Sequence, residues 1–408
     1  MLLALGTALL LVGTTCAQAP QAEPAAAPPL TPMPVLSEEP PGPTHWWGGA
    51  PAAPGGQFWA EADYVVGWFS GDRLPVLVTA SPAGTARNVA GVGGVGTTAE
   101  LFGGGIVNDD ARSGIHLGGG YWFCPEHTFG IEAGGLLLES QASLFDASSN
   151  GTPFLARPFI NATTGLPQAF LIASPGISSG SIGARAASGD FYEAHIDLRE
   201  NVVDWGWLRL DSLLGYRFYR YDEGLSIAQS RTNILNTRTG TVFASEDDFN
   251  TQNEFHGADM GFRTQLWWEN FSLDLLTKCG VGSVNRTVKV LGETVTTIPG
   301  SPTLVREGGL YALASNIGSA QGHDWTVLPE LGATLGWQAS HNVRVTLSYS
   351  LLWLDRIARA ADQVDQVINP ALIPPATGTV TSGSRPAFVL DRADTWLQTL
   401  SLGVEFSY

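Results

Sequence analysis

Two short motifs in this 408-residue chain spell recognisable chemistry. Gly91-Val92-Gly93-Gly94-Val95-Gly96 reads GxGxxG, which cradles a pyrophosphate when a strand precedes it and a helix follows. Here it lies in a long glycine-rich stretch without helical periodicity, and composition alone accounts for it. Gly176-Ile177-Ser178-Ser179-Gly180 reads GxSxG, whose serine becomes a nucleophile only on a strand-to-helix turn with His and acidic partners. A Ser/Gly loop supplies neither. Asn108-Asp109-Asp110 precedes one strand, and His256 and Asp259 lie on another. These are the residue types of a rim hydrolase in which a base activates water, but turn chemistry and rim solvation are the plainer explanation. There is no HExxH and no CxxC pair, so neither a metal nor a cofactor is expected.

The stronger pattern is collective. Arg112, Arg199, Arg209, Arg217, Arg263 and Arg344 fall on the same face of alternating strands as His116, Glu132, Glu193, Asp197, Asp211, Asp259, Asp274 and Glu330. The two signs are interspersed strand by strand. In a wide pore such residues form an electrostatic constriction that sorts solutes. In a small barrel they pair across the lumen and fill it. Both readings stay open from sequence, and no nucleophile or cofactor ligand is among these lumen-lining candidates.

The elements that must position these residues are period-two strands. The last fourteen residues place Trp396, Leu400, Leu402, Val404, Phe406 and Tyr408 on one face, with Leu397, Thr399, Ser401, Gly403, Glu405 and Ser407 on the other. Phe58, Ala60, Ala62, Tyr64, Val66 and Trp68 oppose Trp59, Glu61, Asp63 and Gly67, and eight further segments repeat this logic. Short links near Cys124-Pro125-Glu126, Val203-Asp204, Glu269-Asn270 and Ser340-His341-Asn342 alternate with long ones at about 70–110, 141–189, 222–250, 290–324 and 356–394. That rhythm predicts an all-β, transmembrane, up-and-down antiparallel barrel of about ten strands, with tight periplasmic turns and long external loops. A sheet survives in lipid only when closed, and the strand ending at Tyr408 is expected to close it and to be read by the outer-membrane assembly machinery.

Composition agrees. Charged residues make up 14% of the chain, and 49 glycines, 13 tryptophans and 18 phenylalanines suit a sheet with aromatic girdles. Mean hydropathy is +0.07 and no run of 18 apolar residues follows the N-terminus, which excludes a helical membrane protein. The net charge of −17 argues against nucleic acid as a partner. Residues 1–19 read as a signal peptide, with the apolar stretch Leu2 to Val12 and a small-x-small site at Ala17-Gln18-Ala19. Cys16 leaves lipid attachment as an alternative fate for that segment. Residues 20–56, rich in Pro and Ala, read as a periplasmic linker, and 57–408 as the barrel.

Several segments resemble a known family. LFGGGIVNDDARSGIHLGGGYWF (101–123), GIEAGG (130–135), LARPFINATTG (155–165), GLYALASNIG (309–318), TVLPELGATLGW (326–337), DQVDQVINP (362–370) and SRPAF (384–388) are similar to the planctomycete proteins called putative β-barrel porin-7. The resemblance implies an outer-membrane barrel from a Gram-negative cell and carries over no functional residues. The expected role is therefore passive: a narrow porin-like channel or a structural barrel in outer-membrane lipid, with small solutes or ions as partners. A surface protein with a blocked lumen, acting through its loops, is the alternative, and a rim hydrolase a third.

Overall fold

The computed structural model describes residues 57–235, 239–375, 378–381 and 384–408. The expected signal peptide and most of the linker lie outside the described residues. Ten strands form the barrel: β1 (Phe58–Phe69), β2 (Arg112–Trp122), β3 (Phe129–Leu138), β4 (Ser178–Asp204), β5 (Leu208–Asn233), β6 (Val242–Trp268), β7 (Phe271–Thr297), β8 (Gly318–Ser340), β9 (Val343–Ile357) and β10 (Ala393–Ser407). Each pairs antiparallel with its neighbour in sequence. β1 also pairs with β10, from Trp59↔Ser407 to Phe69↔Leu397, so the sheet closes. The predicted strand number, closure and turn positions all hold, with the β4–β5 turn at Trp205–Trp207.

Side-chain parity follows the sequence pattern. Tyr64, Leu117, Ile196, Leu214, Phe262, Leu331, Leu347 and Leu402 point outward, each more than two-fifths exposed. In barrels of this kind that surface meets lipid, the short turns face the periplasm and the long connections face outside. Trp268, Phe271, Trp337, Phe406 and Tyr408 ring the short-turn end, where amphipathic rings suit the membrane–water boundary.

The structure corrects the reading of the long links. β4 to β8 run for 23 to 27 residues, far beyond what a bilayer needs, and absorb much of the three middle links expected as loops. The upper part of β6 shows why. Its outward residues Glu246, Asp248, Asn250, Gln252 and Glu254 are polar, because they meet water; its inward residues Phe249 and Phe255 are buried apolar ones. The alternation of exposed and buried residues continues, but the outward face turns polar while the inward face mixes Phe249 and Phe255 with the buried polar Asp247, Thr251 and Asn253. A strand Gln141–Ser149 lines the edge of this external wall by pairing with β4.

The wall cradles a cap built from the remaining connections. Short strands Val78–Ser81, Ala99–Phe102, Phe154–Asn161, Pro167–Ala173 and Val367–Ile368 form its own sheet. Leu77, Leu155, Ile172 and Leu313 from the cap pack with Ile227, Phe249 and Val288 from the wall in one buried core. The external loops therefore fold inward over the barrel mouth.

Candidate functional site

All fourteen lumen candidates face the interior, as their strand parity requires. Thirteen lie in the membrane-level lumen and join an ion-pair network. Arg199 bridges Glu132 at 3.3 Å and Asp211 at 2.6 Å. Arg209 holds Asp211 at 2.9 Å, and Arg263 holds Glu132 at 3.0 Å. Arg217 meets Asp259 at 2.8 Å and Glu193 at 3.5 Å, and also pairs with Glu330. Arg344 takes Asp274 at 2.6 Å and Glu405 at 3.2 Å. His116 Nδ1 lies 2.8 Å from Asp63. Arg112 stands apart, above the rest, donating to Ser188 Oγ at 2.9 Å.

Sequence reasoning passed over the group at the centre of this network. Lys278 Nζ lies 2.6 Å from Asp197 and 2.8 Å from Asp259. Glu61, Asp63, His195 and Glu405 also line the lumen. Their inward parity was legible, but counting only arginines against the most regularly spaced carboxylates left them out. Ten carboxylates (Glu61, Asp63, Glu132, Glu193, Asp197, Asp211, Asp259, Asp274, Glu330, Glu405) face six permanent cations (Arg199, Arg209, Arg217, Arg263, Lys278, Arg344), a surplus of four. The network encloses a polar cavity of about 180 Å³, and Ser348, Ser350, Thr399 and Ser401 supply hydroxyls on one side of it.

The lumen is occluded on the external side of that cavity and narrowed, around a smaller pocket of about 70 Å³, on the periplasmic side. On the periplasmic side the Arg199 guanidinium lies 4.8 Å and that of Arg209 4.5 Å from the Trp122 ring, with Trp59 beside them. Cations over tryptophan faces are attractive in such a desolvated setting. On the external side an apolar belt crosses the barrel: Val65, Phe69, Phe191, Tyr219, Tyr221, Phe255, Leu328, Leu354, Ile357 and Leu397. Phe69 stacks on Tyr221 at 4.7 Å between ring centres, and Tyr219 on Phe255 at 5.4 Å. Every one of these residues is at most 1% exposed, so the belt is packed as a core rather than as a water-lined passage.

A buried polar layer joins belt to cap. Arg359 binds Glu223 at 2.8 Å, approaches Asp72 at 3.7 Å and donates to the Gly71 carbonyl. Tyr221 donates to Glu223 at 2.9 Å. Burial, and then repulsion from Glu223, push the Asp72 carboxyl up to about 7 from its ordinary 3.8, against the pull of Arg359. The folded cap thus favours neutral Asp72. Its contribution is full below about pH 4 and is lost as pH rises through about 7, because only the folded state holds the proton in that window. Hydrogen exchange in the cap should therefore quicken between pH 5 and pH 8 by more in the wild type than in Asp72→Asn. Parallel profiles for the two proteins would refute this.

The short motifs resolve as structure. Gly91 sits in a cap turn where its carbonyl accepts from Thr79 Oγ1 at 2.7 Å, and Ser178 Oγ donates to the Ile172 carbonyl at 3.1 Å. His256 points outward against Tyr216 while Asp259 is buried in the lumen, so the rim constellation is not assembled. Four of the family-like segments instead converge on the cap. The Tyr311 hydroxyl donates to the Pro158 carbonyl at 2.7 Å, Val367 and Ile368 pair in parallel with Ile160 and Asn161, and Arg385 binds Asp365 at 2.8 Å.

No curated protein sequence matches the chain. Among solved structures, the outer membrane protease OmpT from Escherichia coli aligns at TM-score 0.40 and 10% identity, over 86% of this chain and 97% of that one. The toluene transporter TodX of P. putida aligns at 0.20 and 9%, over 87% and 91%. A FadL homologue from Pseudomonas aeruginosa aligns at 0.24 and 6%, over 86% and 90%. The family model "Putative beta barrel porin-7" matches residues 59–408, nearly the whole closed barrel and its cap. The chain belongs to that family and is a porin-like β-barrel of the outer membrane.

Proposed function

We propose that this protein is a closed outer-membrane barrel that serves as a structural or surface-binding platform, with its external cap as the working part. The observation that carries this reading is the apolar belt. A conducting pore keeps water along its axis, whereas belt residues from β1, β4, β5, β6, β8, β9 and β10 meet with at most 1% of their surface accessible. The paired lumen below the belt is then filling, which a ten-stranded barrel needs. No covalent chemistry is assigned to it. Residues 1–19 would direct export, the assembly machinery would engage the strand that ends at Tyr408, and outer-membrane lipid would surround the barrel.

The test is single-channel conductance of refolded protein in a planar bilayer at pH 7, with barrel formation confirmed by heat-modifiable gel mobility. A silent bilayer is expected. Discrete, reproducible steps in the wild type, with ion selectivity that changes on Arg263→Ala, would refute the closed barrel and restore the narrow passive channel.

A further inference from the structure

Three lumen side chains on adjacent strands meet in a way that the ion pairs do not exhaust. Glu132 on β3 and Asp197 on β4 are direct cross-strand partners. His195 stands two residues before Asp197 on the same inward face, opposite Gly134, where a larger residue would strike its ring. One ligand atom from each of the three lies within 4.8 Å of the others. We propose that Glu132, His195 and Asp197 form a binding site for one divalent transition-metal ion of the zinc and cobalt class, reached from the lumen cavity.

Neighbouring side chains already orient these three groups. His195 Nδ1 lies 3.1 Å from Glu193 Oε1. A carboxylate on one ring nitrogen fixes the tautomer that leaves the other nitrogen's lone pair free for a metal. Asp197 is fully buried; its Oδ2 accepts from Lys278 at 2.6 Å, while its Oδ1 has no hydrogen-bond partner among the described residues. A buried carboxylate oxygen left without a partner is costly. This one lies toward Gly215 on β5, so a metal would engage Asp197 by turning the carboxylate toward Glu132 and His195 or by displacing Lys278 from Oδ2. Arg199 and Arg263 orient Glu132 without exhausting the lone pairs of its two oxygens.

The donor set and the charge point the same way. One imidazole nitrogen with two carboxylate oxygens suits zinc-like ions, and three protein ligands leave a position for water. Glu193 and His195 line the cavity of about 180 Å³, which has room for that water. A divalent ion would also halve the lumen's surplus of carboxylates. Lys278 competes for Asp197, so affinity is expected to be moderate and reversible.

The full-length protein, refolded in detergent and stripped with a chelator, would be titrated with Co²⁺ alone. One equivalent of Co²⁺ with visible d–d absorption is expected, lost in His195→Ala. Glu193 is a positioning residue, so Glu193→Gln should weaken binding by roughly 10- to 100-fold with heat-modifiable mobility retained. A wild type that takes up no stoichiometric Co²⁺ overturns the proposal, as does binding that survives His195→Ala. If His195→Ala does not refold, unchanged affinity in Glu193→Gln is the overturning result.

Discussion

Asp247→Ala should release the external cap while leaving the membrane barrel folded. Asp247, on the inward face of β6, is fully buried and pairs at 2.7 Å with Arg157, which is equally buried. Its Oδ1 accepts from the backbone N–H groups of Leu310, Tyr311 and Ala312 at 2.9, 3.1 and 2.8 Å. Arg157 in turn lies over the Tyr311 ring at 4.3 Å. One carboxylate thus ties the wall, the cap strand 154–161 and the loop 308–317 together, and Gly309 has no side chain because one would run into it. Removing one partner of a buried pair costs about 3–5 kcal/mol, since the other charge is left without compensation. Three backbone donors would also lose their acceptor. When opening is fast relative to cleavage, proteolysis tracks the open population, so the cap should be cut roughly 10²- to 10³-fold faster. Asp247→Asn keeps the acceptor but not the charge, and should fall between. Unchanged cap resistance in Asp247→Ala would show that the apolar core alone holds the cap.

What the sequence revealed was the part governed by lipid. Strands such as β1, β2 and β10 carry Tyr64, Leu117 and Leu402 outward because hydrocarbon surrounds them, and this alternation fixed their parity and their order around the barrel. The same rule hid the upper wall. At Glu246, Asp248 and Asn250 the outward face meets water, so the segment read as loop although its period of two never broke. The cap was illegible for a different reason. Arg157 and Asp247 are 90 residues apart, and nothing in local patterning brings a guanidinium in one long link to a carboxylate in another. The proposed metal-ligand trio was hidden likewise: Glu132 meets His195 and Asp197 through strand register, while known sequence spacings describe ligands on one turn or helix. Lys278 had the right parity, and only its neighbours across the lumen reveal its importance.

Lys278→Ala should lower the stability of the barrel more than any exchange on its lipid face. The ammonium is 3% exposed and sits between Asp197 and Asp259, both fully buried, on strands β4 and β6 that do not touch each other. It links two sides of the lumen. Without it Asp197 keeps no cation within pairing distance among the described residues, and Asp259 keeps only Arg217 of them. The expected loss is about 3–5 kcal/mol, read as a lower urea midpoint for the heat-modifiable band. Lys278→Met preserves length and apolar packing but should lose nearly as much, because the charge is what is missing. Adding Asp197→Asn to Lys278→Met should then recover much of the loss, since a buried pair replaced on both sides costs far less than one broken on one side. The size of the single-variant effect bears directly on whether the lumen conducts. A lysine in a hydrated constriction can be removed for about 0–1 kcal/mol, because water replaces its partner. One that fills a closed lumen cannot. A near-neutral Lys278→Ala would therefore count against a filled lumen even if the wild-type bilayer were silent.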